Sequence, residues 1–267
     1  MRKFRFGVLF LVLVLLVAAG GCATSGVNQG DFNIVSIEEE WQLGQQLEAD
    51  LAKQLTLVDE PVVQRYVNQL GSRIVSRTEM SGLPWKFHVV RNEEINAFNI
   101  PGGQVYINTG LIEAARNSSE LAGVVAHEIG HGVARHGTEQ LTRAYGLNVV
   151  AALLLGSDPQ AYQQILAQIL GTGAIASFSR DAEREADGLA VEYLYESGYD
   201  PDGLVSFFEV LMEERKGRGD PVARFFSTHP LTEERIRYTQ ALVAELPPRQ
   251  HNVDDAAAFE EVRSRVR

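Results

Sequence analysis

Two histidines and a glutamate at helical spacing are the residues of this sequence best suited to chemistry. His127, Glu128 and His131 form the pattern HExxH. Residues four apart on a helix lie on one face, so the two imidazoles point in the same direction. Such a pair supplies half of a tetrahedral zinc site, with Glu128 beside it to accept a proton from water. The alternative is a helix whose histidines are only polar groups. It is weaker because the surrounding residues are apolar, and buried polar groups need partners.

The segment 117–137 predicts a single helix that carries this motif. Asn117 can cap its first turn, and Glu120 is placed to complete a capping box. Its apolar face comprises Leu121, Val124 and Val125. Gly137 stands where a helix stop is expected. His136 would then lie at the helix C-terminus, rotated off the ligand face and favoured there by the helix dipole.

A second, acidic helix offers the third ligand. Glu183 and Asp187 are four residues apart and therefore share a helix face. A zinc site with two histidines and a glutamate takes its carboxylate from a second element, and a bound histidine usually donates its other N–H to a carboxylate. We therefore predict Glu183 as the third metal ligand and Asp187 as the partner of a zinc-bound histidine. Glu185 points away from them and is expected to be solvated. An acidic surface helix is the alternative.

The first 22 residues are typical of a targeting segment. Three basic residues precede an apolar run at 8–19, and small residues lead to Cys22. This arrangement resembles a bacterial lipoprotein signal, which makes Cys22 the predicted lipidation site. An ordinary cleaved signal peptide and a transmembrane anchor are the alternatives, although the run is short for a span of roughly 20 residues.

Charge and cysteine content exclude several classes of protein. The formal net charge is −11 at pH 7, and loss of the basic start would make it more negative. This balance disfavours binding to nucleic acid or to anionic lipid. Cys22 is the single cysteine, so the chain has neither a disulfide framework nor cysteine-ligated zinc.

Strand patterns precede the HExxH motif. Residues 85–90 alternate in polarity, and 104–108 form a second apolar run after a Pro-Gly-Gly turn. The sequence thus predicts an α+β fold, mostly helical, with a small β-sheet or hairpin before the zinc helix. Asn96, Ala97 and Phe98 can offer a strand edge to an extended peptide substrate through main-chain hydrogen bonds. An ordinary small sheet explains the same residues equally well.

Three motifs in this order resemble the HtpX/BepA/LoiP and Ste-type family of HExxH zinc metallopeptidases, which are gluzincins related to the CaaX prenyl proteases. They are NAF(x)2PGGxVY at 96–106, HEIGH followed by ARHG at 127–137, and SRxxExEAD at 179–187. The resemblance covers about 36–245 and implies a zincin-type domain that hydrolyses peptide bonds with one Zn²⁺ per chain. The lipoprotein start is similar to the membrane-tethered branch of that family.

The family also implies a role for His229, which lies in the run Ser-Thr-His-Pro at 227–230. It would approach the metal site, either to stabilise the tetrahedral oxyanion or to occupy the open zinc position and keep the enzyme latent. From the residues alone this segment is only a loop.

The expected domain organisation follows from these motifs: a lipoprotein signal peptide at 1–21, a flexible tether at 22–35, a zinc metallopeptidase domain at 36–246 and a polar C-terminal tail at 247–267. The family resemblance and the similarity of the start to a lipoprotein signal together imply an endopeptidase that is lipid-anchored at the outer membrane and faces the periplasm. Its substrates would be misfolded or misassembled cell-envelope proteins, with envelope assembly machinery as a further partner. The alternative is a chaperone-like binding protein or assembly factor with latent protease activity.

Overall fold

The computed structural model describes residues 27, 33, 35–172, 175, 177–216, 221–253 and 255–267. The predicted signal peptide, Cys22 and almost all of the predicted tether lie outside the described residues. No helix within the described ranges is long and apolar enough to cross a bilayer.

Helices dominate the described chain, and three short strands interrupt them early. In order, the elements are α1 (Ile37–Leu51), α2 (Pro61–Val75), β1 (Lys86–Val90), β2 (Ala97–Ile100), β3 (Gln104–Asn108), α3 (Thr109–Ala114), α4 (Ser118–Val133), α5 (His136–Tyr145), α6 (Leu147–Leu154), α7 (Pro159–Thr172), α8 (Arg180–Ser197), α9 (Asp202–Glu214), α10 (Ala223–Thr228), α11 (Glu233–Glu245) and α12 (Ala256–Val266). The predicted mostly helical α+β class is confirmed.

The sheet has the order β1-β3-β2, with β1 parallel and β2 antiparallel to β3. The predicted hairpin is therefore made by β2 and β3. Its turn contains Gly102 and Gly103, whose φ angles of 84° and 69° are costly for residues with a Cβ atom. β2 lies at one edge of the sheet and packs against α4.

Helix α1 begins with a capping box formed by Ser36 and Glu39. The Ser36 hydroxyl accepts the N–H of Glu39, and the Glu39 carboxylate accepts the N–H of Ser36 at 2.8 Å. Helix α1 ends at Leu51, so Leu57 lies outside it. Leu57 instead forms an isolated bridge with Val90, which ties the segment after α1 to the sheet.

Helix α4, which carries HExxH, is the central element of the molecule. Every residue from Glu120 to Val133 is buried, and α4 packs most extensively against α8 and α9. Asn117 caps it as predicted, accepting the N–H of Glu120 at 2.9 Å. Glu120 does not complete a capping box on Asn117, since its carboxylate accepts the N–H of Arg116 instead.

The predicted single helix over 117–137 is wrong at its C-terminal end. Helix α4 stops at Val133, and Arg135 adopts a left-handed conformation with φ 61°. The chain then starts α5 at His136. A buried ion pair fixes this turn, because Arg135 Nε donates to Glu40 Oε2 at 2.7 Å and both side chains are almost inaccessible. Gly137 therefore lies inside α5 and does not end the zinc helix.

The apolar run at 145–155 is only partly buried in the core. Within α6, Val150 and Leu153 are buried in an apolar cluster shared with α1 and α7. Leu147 and Leu155 lie on the outer side and are 44% and 81% exposed.

The C-terminal segment 247–267 is more than the polar tail that its composition suggests. Its helix α12 packs against α2 and α3. Phe259, Val262 and Val266 are at most 3% exposed and belong to the main core. Three apolar residues at helical spacing are enough to bury one face of a helix whose other residues are charged or small.

Candidate metal centre

Four buried side chains from three parts of the fold converge beside α4. They are His127, His131, Glu183 and His229, and one ligand atom from each lies within 4.8 Å of the others. His127 Nε2 and His131 Nε2 are 3.1 Å apart, and they lie 3.6 Å and 3.4 Å from the oxygens of Glu183. All four residues are 1% exposed. The structure therefore brings together the three predicted ligands and His229.

Helix packing positions these groups. α4 presents both histidines on one face, and α8 crosses it so that Glu183, in its first turn, meets them. This crossing is close because Gly130 has no Cβ, and an added one would lie 3.0 Å from the carbonyl oxygen of Ala186. His229 follows α10, where its N–H donates to Phe225.

Asp187 lies where the sequence predicts. Its Oδ1 is 3.0 Å from Nδ1 of His127, on the side of the ring away from the other ligands. The structure adds a residue that sequence reasoning missed, since Arg235 on α11 donates to both oxygens of Asp187 at 2.6 and 2.8 Å. Arg235 also forms an ion pair with Glu183. In the sequence, nothing near Arg235 indicates that it contacts Asp187.

Glu128 is a buried carboxylate, 1% exposed, whose oxygen atoms lack hydrogen-bond partners of good geometry among the described residues. Nε2 of His229 lies 3.5 Å from Oε1 of Glu128. Burial raises the pKa of Glu128, against the lowering effect of His229 and His127. A buried carboxylate in this condition needs water, a metal or substrate nearby to be stable.

Burial and neighbouring charges set the protonation states of Glu183, His229 and His131. Although burial opposes it, the charges of His229 and Arg235 hold the pKa of Glu183 well below its usual range. Burial also opposes the shift of His229, but Glu183 and Glu128 raise its pKa. Burial lowers the pKa of His131 well below its usual value. The cluster thus contains an ionised carboxylate and a neutral imidazole, which are the forms that bind zinc.

His136 is not the helix C-terminal histidine that the sequence predicted. The left-handed turn at Arg135 directs its ring back to the site, with its Nδ1 2.9 Å from Nδ1 of His131. Its Nε2 lies 3.3 Å from Glu185, which is 30% exposed at the side chain and is paired rather than simply solvated. Phe178 stacks on His131, with ring centroids 4.0 Å apart. The sequence did not indicate these contacts, because helical spacing places His136 away from the site when the helix is taken as unbroken.

The predicted substrate edge strand lies beside this cluster but is covered. Asn96, Ala97 and Phe98 are 1%, 0% and 6% exposed, and the last two begin β2. The backbone N–H of Asn99 is close enough to Glu128 to lower the pKa of that carboxyl. The edge strand therefore runs past the base, although its backbone is buried in this conformation.

These donors fit zinc. Two imidazoles and a carboxylate are the ligand set of many catalytic zinc sites, and the rear nitrogen of each histidine has a polar partner. The Glu128 carboxylate, which lacks a hydrogen-bond partner among the described residues, adds a further reason for a bound group at this centre.

The comparison with protein-family models agrees with this geometry. The model of Peptidase family M48 matches residues 61–243, which include all four clustered residues. The chain belongs to peptidase family M48. Membership confirms the predicted class of HExxH zinc metallopeptidase and zinc as the cofactor that the cluster can hold.

Several relatives carry peptidase names. The chain is 35% identical over 211 residues to the beta-barrel assembly-enhancing protease of Escherichia coli (strain K12), an alignment that covers 76% of this chain and 43% of the relative. It is 29% identical over 230 residues to the mitochondrial metalloendopeptidase OMA1 of Schizosaccharomyces pombe, covering 85% of this chain and 68% of the relative. It is also 29% identical over 168 residues to metalloprotease YcaL of Escherichia coli (strain K12), covering 62% and 65%. The chain thus spans less than half the length of the first of these relatives.

Proposed function

We propose that this chain is a zinc metalloendopeptidase whose ligands are His127, His131 and Glu183. The observation that supports this most strongly is the buried cluster itself, in which HExxH and a glutamate from a second helix meet with an unsatisfied carboxylate alongside. A closed structural zinc site would not need that carboxylate, and such sites are usually rich in cysteine.

Bound zinc would supply Lewis-acid activation of water and of the scissile carbonyl. Glu128 accepts the proton of the attacking water and passes it to the leaving amine. Burial suits Glu128 to both roles, because a carboxyl with a raised pKa is basic enough to take a proton near neutral pH. Asp187, held by Arg235, orients His127 from behind.

For His229 we propose the latch role. Its Nδ1 lies 2.9 Å from Glu183 and 3.4 Å from Nε2 of His127, within the ligand set itself. With His229 as a fourth protein ligand the centre would have no open position, and an open position is what catalytic zinc sites keep. Cleavage then requires that the segment carrying His229 move away from the cluster.

For substrate binding we propose β2 as the docking edge. An extended peptide beside β2 would pass Glu128, because the backbone N–H of Asn99 already faces that carboxylate. Pairing through the main chain explains how segments of varied sequence can be cleaved. Since Ala97 and Phe98 are buried, the edge would open in the same step that releases His229.

For location we propose the cell envelope, with a lipid anchor at Cys22 that tethers the domain to the outer membrane on its periplasmic side. The lipoprotein-like start supports the anchor, and the name of the beta-barrel assembly-enhancing protease supports the envelope. Misfolded or misassembled envelope proteins, including β-barrel proteins under assembly, would be the substrates. Assembly machinery would be a partner.

The test compares the wild-type chain with Glu128→Gln. Bound zinc is measured by elemental analysis, and cleavage of unfolded casein is followed by gel. We expect about one zinc per chain in both proteins and cleavage in the wild type alone, with a loss of about 10²–10⁴-fold in the variant. Equal cleavage by both proteins would refute the role of Glu128. Zinc without cleavage in either would favour the latent, chaperone-like alternative, and absence of zinc from folded wild type would refute the site.

A further inference from the structure

Nδ1 of His131, which faces away from the ligand cluster, contacts the imidazole of His136. We infer that His136 and Glu185 form a positioning relay that fixes the tautomer and the ring orientation of His131 for metal binding. The inference rests on the ligand role of His131 in the function proposed above. His136 contacts His131 on the side away from the other ligands, and Glu185 contacts His136, so both act through His131.

Geometry assigns the two nitrogens of His131 to different tasks. Its Nε2 faces the cluster, 3.1 Å from Nε2 of His127 and 3.4 Å from Glu183. Its Nδ1 faces the opposite way, 2.9 Å from Nδ1 of His136. Both rings are 1% exposed, so bulk water does not compete for this contact.

Proton counting then leaves one arrangement. A neutral imidazole that gives Nε2 to a metal carries its proton on Nδ1, so His131 must donate in this contact. Nδ1 of His136 must therefore be the acceptor. A neutral His136 that accepts at Nδ1 carries its own proton on Nε2, and that nitrogen lies 3.3 Å from Oε2 of Glu185. A cationic His136 would place two N–H groups against each other.

Glu185 selects this state because a carboxylate only accepts hydrogen bonds. It holds the proton of His136 on Nε2 and thereby leaves Nδ1 free to accept from His131. An acceptor behind a metal-binding imidazole makes the imidazole more basic and a better ligand. His127 obtains the same support directly from Asp187 at 3.0 Å. His127 thus contacts its supporting carboxylate directly, whereas His131 reaches its carboxylate through His136.

The fold builds this relay through the turn after α4. Without the left-handed Arg135, α4 would continue and carry His136 away from His131, as the sequence analysis assumed. The buried pair of Arg135 with Glu40 keeps the turn in place. Phe178 stacks on the ring of His131 and restricts its rotation.

The first test measures zinc affinity by competition with a chromophoric chelator. We expect His136→Ala to bind zinc about 10- to 100-fold more weakly than wild type. His136→Asn should recover most of the loss, since its amide oxygen can accept the proton of His131. Glu185→Gln should show a smaller loss, because glutamine can donate as well as accept and no longer selects one tautomer. Glu192→Gln, an exposed glutamate two turns further along α8, is the matched control and should leave affinity unchanged.

The second test reads the proton positions directly. In zinc-loaded wild type with ¹⁵N-labelled histidine, imidazole ¹⁵N–¹H correlation spectra should show His136 protonated at Nε2 and His131 at Nδ1. This measurement needs no variant, so it stands even if His136→Ala does not fold. A proton on Nδ1 of His136 would overturn the relay, as would wild-type affinity in both His136→Ala and Glu185→Gln. If wild type itself binds no zinc, the proposed function fails before the relay is tested.

Discussion

At the scale of single residues, the centre depends on one buried cation. Arg235 is 5% exposed and lies against Glu183 and Asp187, which are at most 1% exposed. Two carboxylates so close and so deeply buried repel one another and lose their hydration. Arg235 compensates both, and these carboxylates in turn raise the pKa of its guanidinium against the effect of burial.

We therefore expect Arg235→Ala to destabilise the metal-free protein by about 3–5 kcal/mol, the usual cost of removing one partner from a buried ion pair. Urea denaturation in the presence of a chelator measures this change. The control is Arg237→Ala on the same helix, an exposed residue paired with Glu233 at 3.5 Å, which should cost about 0–1 kcal/mol. Similar midpoints for the two variants would contradict the role assigned to Arg235.

His229 gives a second prediction at this scale. Because its Nδ1 lies among the ligands, His229→Ala should open a coordination position and raise the basal cleavage of casein above that of wild type. Zinc should remain bound through the other three ligands. Initial rates at equal zinc occupancy provide the comparison. A large fall in rate with zinc retained would instead assign His229 to stabilisation of the oxyanion.

At the scale of elements, glycines set how closely other helices approach α4. A Cβ at Gly123 would lie 2.8 Å from backbone atoms of Leu204 on α9, and one at Gly130 would lie 3.0 Å from α8. These glycines therefore allow the helices to pack closely, even though glycine by itself destabilises a helix. The short distance from α4 to α8 is what lets Glu183 reach the two histidines.

Gly123→Ala should consequently destabilise the protein by about 1–3 kcal/mol, because α9 must shift to admit the methyl group. Gly188→Ala is the matched control on α8, where the nearest atoms lie 3.8 Å from the added Cβ. This second change should be neutral or stabilise by up to about 1 kcal/mol through better helix propensity. Thermal unfolding should show a lower midpoint for Gly123→Ala and an unchanged or higher midpoint for Gly188→Ala, and two stabilised proteins would contradict the packing argument.

At the scale of the whole molecule, the fold extends to the last residues of the chain. α12 closes the core over α2 and α3 with Phe259, Val262 and Val266. Tyr66 on α2 packs near Phe259, with ring centroids 6.4 Å apart, and its hydroxyl donates to Asp255 just before α12. The C-terminal helix is therefore part of the same hydrophobic core as α2.

Phe259→Ala should lower the free energy of unfolding by about 3–5 kcal/mol, as expected for removal of a fully buried phenylalanine. Its neighbour Glu260 is exposed and provides the control, since Glu260→Ala should change stability by no more than about 0.5 kcal/mol. Guanidinium denaturation followed by circular dichroism is suitable. A negligible effect of Phe259→Ala would mean that the segment is a dispensable tail after all.

The sequence by itself determined the chemistry of the centre. The HExxH spacing, the paired Glu183 and Asp187, and the Asn117 cap are local signals, because a helix converts fixed spacing into a shared face. The helical class agrees with the structure, and zinc and the family agree with the metal-ligand cluster and the match to peptidase family M48. The turn between β2 and β3 was a local signal too, since a Pro-Gly-Gly run marks it, whereas the alternating residues 85–90 form β1, which pairs parallel to β3.

Only the tertiary structure decided which distant groups support the ligands. Arg235 reaches Asp187 across 48 residues of chain, and His136 reaches His131 only because Arg135 turns the backbone left-handed against a buried partner, Glu40. Neither contact repeats at a helical or strand period, so no pattern in the chain indicates it. The physical reason is that buried charges are stable only with partners, and packing brings those partners from elements far apart in sequence.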